Sequence, residues 1–102
     1  MRTTRAAELF AAALGGDVVR LQALLPVAGD PTTFPAPDGV TPLMAAASGG
    51  HEVVVELLLE RGSNPTRRDF KGRSAAAYAR AAGHPHLAAR LDSVVDQEKT
   101  LR

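Results

Sequence analysis

Residues 39–51 read Gly39-Val40-Thr41-Pro42-Leu43-Met44-Ala45-Ala46-Ala47-Ser48-Gly49-Gly50-His51. The pattern returns 33 residues later as Gly72-Arg73-Ser74-Ala75-Ala76-Ala77-Tyr78-Ala79-Arg80-Ala81-Ala82-Gly83-His84. Upstream, Leu9-Phe10-Ala11-Ala12-Ala13-Leu14-Gly15-Gly16-Asp17 fits the same frame at an offset of 34, with one extra residue between Pro26 and Pro37. A constant spacing of this length is typical of repeat proteins, so the sequence predicts three units of one architecture.

Each unit is predicted to contain two short helices. Thr41 is a favourable N-cap, Pro42 fits the first helical position, and the pair Gly49-Gly50 ends the first helix in a tight turn. Gly62 is expected to end the second helix, and an extended, hairpin-like loop follows it as far as Gly72. The second helix of the middle unit has an apolar face and an opposite glutamate stripe, formed by Val54, Leu57 and Leu58 against Glu52, Glu56 and Glu60.

The stretch from Gly39 to Pro65 resembles an ankyrin repeat, and the resemblance covers nearly the whole chain. The Thr-Pro-Leu opening, paired alanines, Gly-His turn, leucine triplet and terminal glycine all keep the register of that family. Met44 departs from it, because the family usually has His there, so weaker hydrogen bonding is expected at this position. The resemblance implies an all-α solenoid of stacked helix-turn-helix units with hairpin-like loops. The expected domain spans 1–91, with units at about 5–37, 38–70 and 71–91, and a C-terminal helix extension and tail at 92–102.

A single helix pair cannot bury its apolar face alone, so neighbouring units are expected to stack. The predicted core consists of Leu9, Leu21, Leu24, Leu25, Leu43, Val54, Leu57, Leu58, Leu87 and Leu91.

Composition narrows the classes of function open to the chain. It has 102 residues, no Cys and a formal net charge of +1. A chain of this length forms one domain without room for a deep substrate cavity, and without Cys it has no disulfides, thiolate chemistry or Cys-based metal site. No apolar run approaches the roughly 18 residues needed to cross a bilayer, so we expect a soluble, cytoplasmic protein with no membrane partner. The near-zero net charge also argues against nonspecific nucleic-acid binding.

The residues that suggest chemistry have simpler structural explanations. His51 and His84 occupy the Gly-His turns of their units, which leaves His86 without further ligands, so no metal site is expected. The glutamate stripe lies on one helix face, where carboxylates are solvated rather than paired for acid and base catalysis. Neither a serine nucleophile motif nor a phosphate-binding glycine loop is present. The chain is therefore predicted to be non-enzymatic and to bind no cofactor.

The resemblance implies partner contacts at the loop tips and at the ends of the first helices: Pro37, Asp38, Val40, Ser48, Phe70, Lys71, Arg73 and Ala81. Arg68 is added because it is a cation close to Phe70 in the same loop. We regard Phe70 as the strongest candidate, because an exposed aromatic residue beside cations is typical of interface hot spots. The alternative is that Phe70 folds back onto its own hairpin.

We interpret the chain as a protein–protein interaction module, an adaptor or inhibitor that docks through its loop tips and concave helix face. The locally basic loop favours a partner with an acidic patch. The alternative is a nucleic-acid accessory protein that uses the Arg-rich loop 67–73. A monomer is expected, with a weak dimer through the C-terminal helix as the alternative, since Leu91, Val94 and Val95 form an apolar edge.

Overall fold

The computed structural model is helical throughout its regular structure. It describes residues 5–24, 39–61 and 63–100, with side chains described for 8–24, 39–61 and 63–95. The helices are α1 (Arg5–Gly15), α2 (Val18–Leu24), α3 (Pro42–Gly49), α4 (Glu52–Glu60), α5 (Ala75–Ala81) and α6 (Pro85–Thr100). No strand occurs within these three ranges. The predicted all-α fold is therefore confirmed.

The helices form three pairs that stack along the chain. Within each pair the two helices pack together, α1 with α2, α3 with α4 and α5 with α6. Between pairs, α3 contacts both α1 and α5, and α2 contacts α4. The first helices therefore form one layer, in which α3 is covered on both sides, and the second helices form another.

The first helix of the middle unit begins as the sequence predicts. The Thr41 hydroxyl accepts a hydrogen bond from the Met44 backbone N–H at 3.3 Å, and Pro42 occupies the first turn. The Met44 sulfur in turn accepts the Thr41 N–H at 3.4 Å, and its side chain is fully buried. Sulfur is a weaker acceptor than nitrogen or oxygen, yet Met44 completes a reciprocal cap and fills the core at the position where the family usually has His. The packing at this departure is thus retained.

The core contains most of the predicted leucines and more alanine than expected. Seven of the ten predicted residues are buried, namely Leu9, Leu21, Leu43, Val54, Leu58, Leu87 and Leu91. Leu24 and Leu57 are half-buried, and Leu25 lies outside the described residues, as does Gly62. Small side chains such as Ala13, Ala46 and Ala79 are fully buried in the first-helix layer, because only short residues let these helices approach one another closely.

The Gly-His turns link each unit to the one before it. His51 Nε2 lies 2.9 Å from the Leu14 carbonyl oxygen, and since a carbonyl only accepts, this nitrogen carries the proton. The His51 ring also lies against Gly16, and the His84 ring lies against Gly50 in the same manner. The structural role expected for these histidines is confirmed by these contacts.

Gly50→Ala is expected to lower the free energy of unfolding more than Gly72→Ala. Both glycines have a positive φ, 71° at Gly50 and 79° at Gly72, so alanine strains the backbone by about 1–2 kcal/mol at either position. A Cβ at Gly50 would also lie 2.6 Å from His84 Cε1, whereas at Gly72 it would meet nothing within 4 Å. We expect Gly50→Ala to cost about 1 kcal/mol more. Urea unfolding of both variants measures the difference, and equal losses would contradict a role for the His84 contact.

The last helix continues past the proposed unit boundary at residue 91. It runs without a break from Pro85 to Thr100, so residues 92–100 of the predicted extension and tail are helical. Leu91 is buried, while Val94 and Val95 are half-buried. This edge therefore contributes to closing the third unit. None of the described helices is long and apolar enough to cross a membrane.

Candidate functional site

The loop between α4 and α5 forms a tight hairpin-like turn. The Asp69 backbone N–H donates to the Arg73 carbonyl oxygen at 2.9 Å, and the Gly72 N–H donates to the Asp69 carbonyl oxygen at 2.9 Å. Arg68 Nη1 also donates to the Gly72 carbonyl oxygen at 3.0 Å. Residues 67–73, the predicted basic loop, therefore have a defined conformation held by backbone and side-chain bonds.

A buried carboxylate holds this loop in place. The Asp69 side chain accepts the backbone N–H groups of Lys71 at 2.9 Å and Arg73 at 2.8 Å through Oδ1. Its Oδ2 accepts the Tyr78 hydroxyl at 2.5 Å and Arg73 Nε at 2.9 Å. Because Tyr78 belongs to α5, these bonds fasten the loop to the helix behind it. Asp69 is 6% exposed, and these four hydrogen bonds compensate the cost of burying its charge.

The pKa of Asp69 reflects this environment. Burial alone raises the pKa of a carboxyl group, but the hydrogen bonds from Tyr78, Arg73 and the Lys71 backbone outweigh burial. The pKa of Asp69 consequently lies well below its ordinary value, and the group is ionised throughout the neutral range.

Arg73 helps to hold the loop together, and its side chain is 49% exposed. Its guanidinium bonds Asp69 and lies over the Tyr78 ring, with Cζ 4.8 Å from the ring centroid. The hydrogen bond to Asp69 raises the pKa of Arg73, as expected for a cation beside a buried carboxylate. Arg67, Arg68 and Lys71 are exposed and supply the positive charge that a ligand would meet.

Phe70 stands at the exposed tip of the loop. It is 80% exposed, so it does not fold back onto its own hairpin. Its ring edge lies against Gly39 in the preceding loop, where an added Cβ would come within 2.8 Å of Phe70 Cδ1. Gly39 therefore leaves room for the ring, and one edge is supported while the rest faces solvent.

The other predicted contact residues differ in accessibility. Ser48 is half-buried and Ala81 is exposed, at the ends of the adjacent helices α3 and α5. Val40 is only 9% exposed, so its side chain belongs to the core and the prediction that it contacts a partner needs correction. The frame aligns Val40 with Arg73, and an aliphatic side chain at that position packs inward. Pro37 and Asp38 lie outside the described residues.

Two features of the site escaped sequence reasoning. Asp69 lies within a basic run and carries no family motif, although Asp followed three residues later by Gly is typical of a turn that the Asp side chain closes. Leu14 is 50% exposed and occupies the position in the first unit that Ser48 and Ala81 occupy in the second and third. The surface formed by the ends of the first helices therefore includes the first unit. No group of three or more potential metal-ligating residues occurs in the part of the chain that the structure describes.

Stacked helix pairs, a hairpin-like loop and Gly-His turns that join successive units define a helical repeat protein of the solenoid class. A family model for ankyrin repeats, in three copies, matches residues 9–97. The chain belongs to the ankyrin repeat family, whose repeats generally act as protein–protein interaction modules.

Several larger proteins contain a similar segment. The human ARF GTPase-activating protein GIT1 is 36% identical over 84 residues, which covers 82% of this chain and 11% of GIT1. An IkB-like protein of African swine fever virus is 42% identical over 60 residues, covering 58% of this chain and 25% of the viral protein. Protein HOS4 of Saccharomyces cerevisiae is 55% identical over 38 residues, 37% of this chain and 4% of HOS4. The chain thus spans about a tenth of the length of GIT1, and the similarity concerns the repeat segment.

Proposed function

We propose that the chain is a non-enzymatic adaptor or inhibitor that docks an acidic patch of a partner protein through loop 67–73. The ends of α3 and α5 would complete the contact surface. The observation that carries this proposal is Phe70, an aromatic residue that is 80% exposed at the tip of a loop fastened by a buried carboxylate.

The order of the loop supports binding because little flexibility is lost on association. The loop is held by Asp69 and by the Arg68 contact with Gly72, so its tip is already shaped before a partner arrives. Arg67 and Lys71 extend from the same turn and are exposed. An aromatic anchor surrounded by cations suits a surface that combines an apolar pocket with carboxylates.

Nucleic-acid binding by the same loop has weaker support. The Asp69 carboxylate neutralises Arg73, so one fewer cation is available to phosphates than the sequence suggests. The relatives include proteins with different names, an ARF GTPase-activating protein and an IkB-like protein. This difference supports a shared scaffold on which the exposed residues determine the partner. A monomeric state and a cytoplasmic location stay predictions from the sequence.

The proposal is tested by photo-crosslinking from two positions. A photoreactive amino acid is placed at Lys71 on the loop and, as a matched control, at Ala89, which is exposed on α6. A crosslinked partner protein is expected from Lys71 and none from Ala89. Adducts from Ala89 alone would place the contact surface elsewhere and contradict the proposal.

Phe70→Ala is expected to weaken binding of that partner by about 30-fold or more, the loss typical of truncating an aromatic hot spot. Lys71→Ala should have a smaller effect that diminishes as salt is added. Isothermal calorimetry at two salt concentrations measures both variants. Affinity that falls steeply with salt and is insensitive to Phe70→Ala would favour the nucleic-acid alternative.

A further inference from the structure

A second exposed surface lies between α2 and α4, in the layer of second helices. It is an open groove of about 440 Å³. Its floor is apolar, formed by Val18 of α2 with Val53 and Leu57 of α4. Val18 and Leu57 are half-buried, and Val53 is 65% exposed. None of these residues belongs to loop 67–73 or to the ends of α3 and α5, so the groove is separate from the site described above.

One wall of the groove carries the glutamate stripe. Glu52, Glu56 and Glu60 follow one another at four-residue steps along α4 and all line the groove. At about 1.5 Å of rise per residue, the first and last lie about 12 Å apart along the helix. None of the ion pairs among the described residues involves Glu52 or Glu60.

The middle glutamate shows how a cation binds this wall. Arg90 of α6 donates to Glu56 through Nε at 2.9 Å and through Nη2 at 2.8 Å, a bidentate pair. The hydrogen bond from Arg90 lowers the pKa of Glu56. Because Arg90 neutralises Glu56, the charge that an incoming ligand meets is that of Glu52 and Glu60.

We propose that this groove binds a cationic amphipathic helix of a partner protein. Such a helix would place aliphatic side chains on Val53 and Leu57, and arginine or lysine side chains opposite Glu52 and Glu60. Cations about 12 Å apart correspond to residues about eight positions apart on the ligand helix, so they and the aliphatic residues between them share one face. Charge complementarity selects this occupant, since an acidic segment would meet like charges and a neutral one would leave both carboxylates without a counter-charge.

The groove and loop 67–73 are oppositely charged and do not share residues, so two partners can bind together. This consequence rests on the proposed function, and it favours an adaptor over an inhibitor.

The test uses a fluorescein-labelled synthetic helix of about 15 residues, long enough to be partly helical alone, with leucines and arginines on one face. Two matched peptides replace either the leucines by serine or the arginines by glutamate. Fluorescence anisotropy is expected to show saturable binding of the first peptide and little binding of the other two. Equal binding of the serine peptide would overturn the proposal, because it would indicate charge attraction without a groove.

Variants of the protein locate the binding surface. The double variant Glu52→Gln/Glu60→Gln should weaken binding about three- to tenfold, and Val53→Ser about threefold. The matched controls are Asp92→Asn, an exposed carboxylate on α6, and Val19→Ser, a valine that is 79% exposed and does not line the groove. Both controls should leave affinity unchanged, and so should Phe70→Ala. A comparable loss in either control would overturn the proposal.

The remaining alternative is that a second copy of this chain occupies the groove. Sedimentation of the unlabelled protein tests this alternative by measuring its oligomeric state. The proposal expects no association that depends on the groove. A dimer abolished both by Phe70→Ala and by the double glutamine variant would show loop 67–73 of another copy in the groove and would overturn the proposal. Since the crosslinking from Lys71 does not involve the groove, failure of the peptide test leaves the proposed function standing, whereas the loop-in-groove dimer would make a second copy of the chain the partner of loop 67–73.

Discussion

Leu58→Ala is expected to lower the free energy of unfolding by about 2–5 kcal/mol, a large share of the roughly 5–15 kcal/mol that holds a domain folded. Leu58 has no exposed surface and lies on α4. That helix packs on α3 within its own unit and on α2 of the unit before it. Truncation therefore removes apolar contacts and leaves a cavity at the centre of the stack. Chemical unfolding followed by circular dichroism measures the loss.

The matched control is Val53→Ala on the same helix. Val53 is 65% exposed, so this change removes two methyl groups with little effect on the core and should cost less than about 0.5 kcal/mol. Equal losses for Leu58→Ala and Val53→Ala would mean that the middle unit is not covered by its neighbours. Because each unit is stabilised by the next, Leu58→Ala should also shift the transition of the whole chain rather than of one unit.

Asp69→Ala is expected to have the second-largest effect, with a fall in the midpoint of thermal unfolding of about 5–15 °C. The substitution removes the acceptor of two backbone N–H groups, the Tyr78 hydroxyl and Arg73 Nε at once. Amide hydrogen exchange at Lys71 and Arg73 should accelerate, since both N–H groups lose their partner. Asp92→Ala is the control, because its pair with Arg80 is exposed on both sides and such pairs contribute little. An unchanged midpoint for Asp69→Ala would contradict the role assigned to the carboxylate.

The pH dependence of stability should depend on the same residue. The folded-state pKa of Asp69 is depressed, so its contribution is fully present above the pKa of about 3.9 that an unfolded Asp has. The contribution is lost progressively as the pH falls below that value towards the folded-state pKa. The difference in unfolding free energy between the wild-type protein and Asp69→Asn should be constant from pH 7 to about pH 5 and shrink at about pH 3. A difference that grows on acidification would contradict this assignment.

The sequence predicts the scaffold because the scaffold depends on local, repeated signals. Thr41 caps its helix through Met44, only three positions away. His51 and His84 are one repeat length apart, so the repeat alone predicts that both lie in the turns between helices. The loop could not be predicted to the same degree, because the Asp69 contact with Tyr78 spans nine residues and depends on how the loop rests on α5. The burial of Val40 is also not predicted by the repeat alone. Val40 and Arg73 occupy equivalent positions in their units, but the aliphatic side chain of Val40 packs into the core.

Candidate contact residues are harder to predict than core residues. A buried leucine follows from helical periodicity, whereas exposure depends on which neighbours cover a side chain. Phe70 illustrates the difference. The sequence leaves open whether its side chain folds back onto the hairpin, whereas in the structure only one edge of the ring contacts Gly39. Glu56 is a second case, since its pairing with Arg90 joins two residues 34 positions apart.

The histidine contacts join each unit to the unit before it in the same way, so the repeats have a defined direction along the chain. The ring of His51 covers the glycine that ends the first helix of the preceding unit, and the ring of His84 does the same one unit later. Each turn thus offers a glycine towards the C-terminal side and a ring towards the N-terminal side. A duplicate of residues 39–71 inserted after residue 71 would reproduce both halves of this contact at each of its junctions. The protein could therefore be lengthened unit by unit, with the register of every new junction already encoded in its turns.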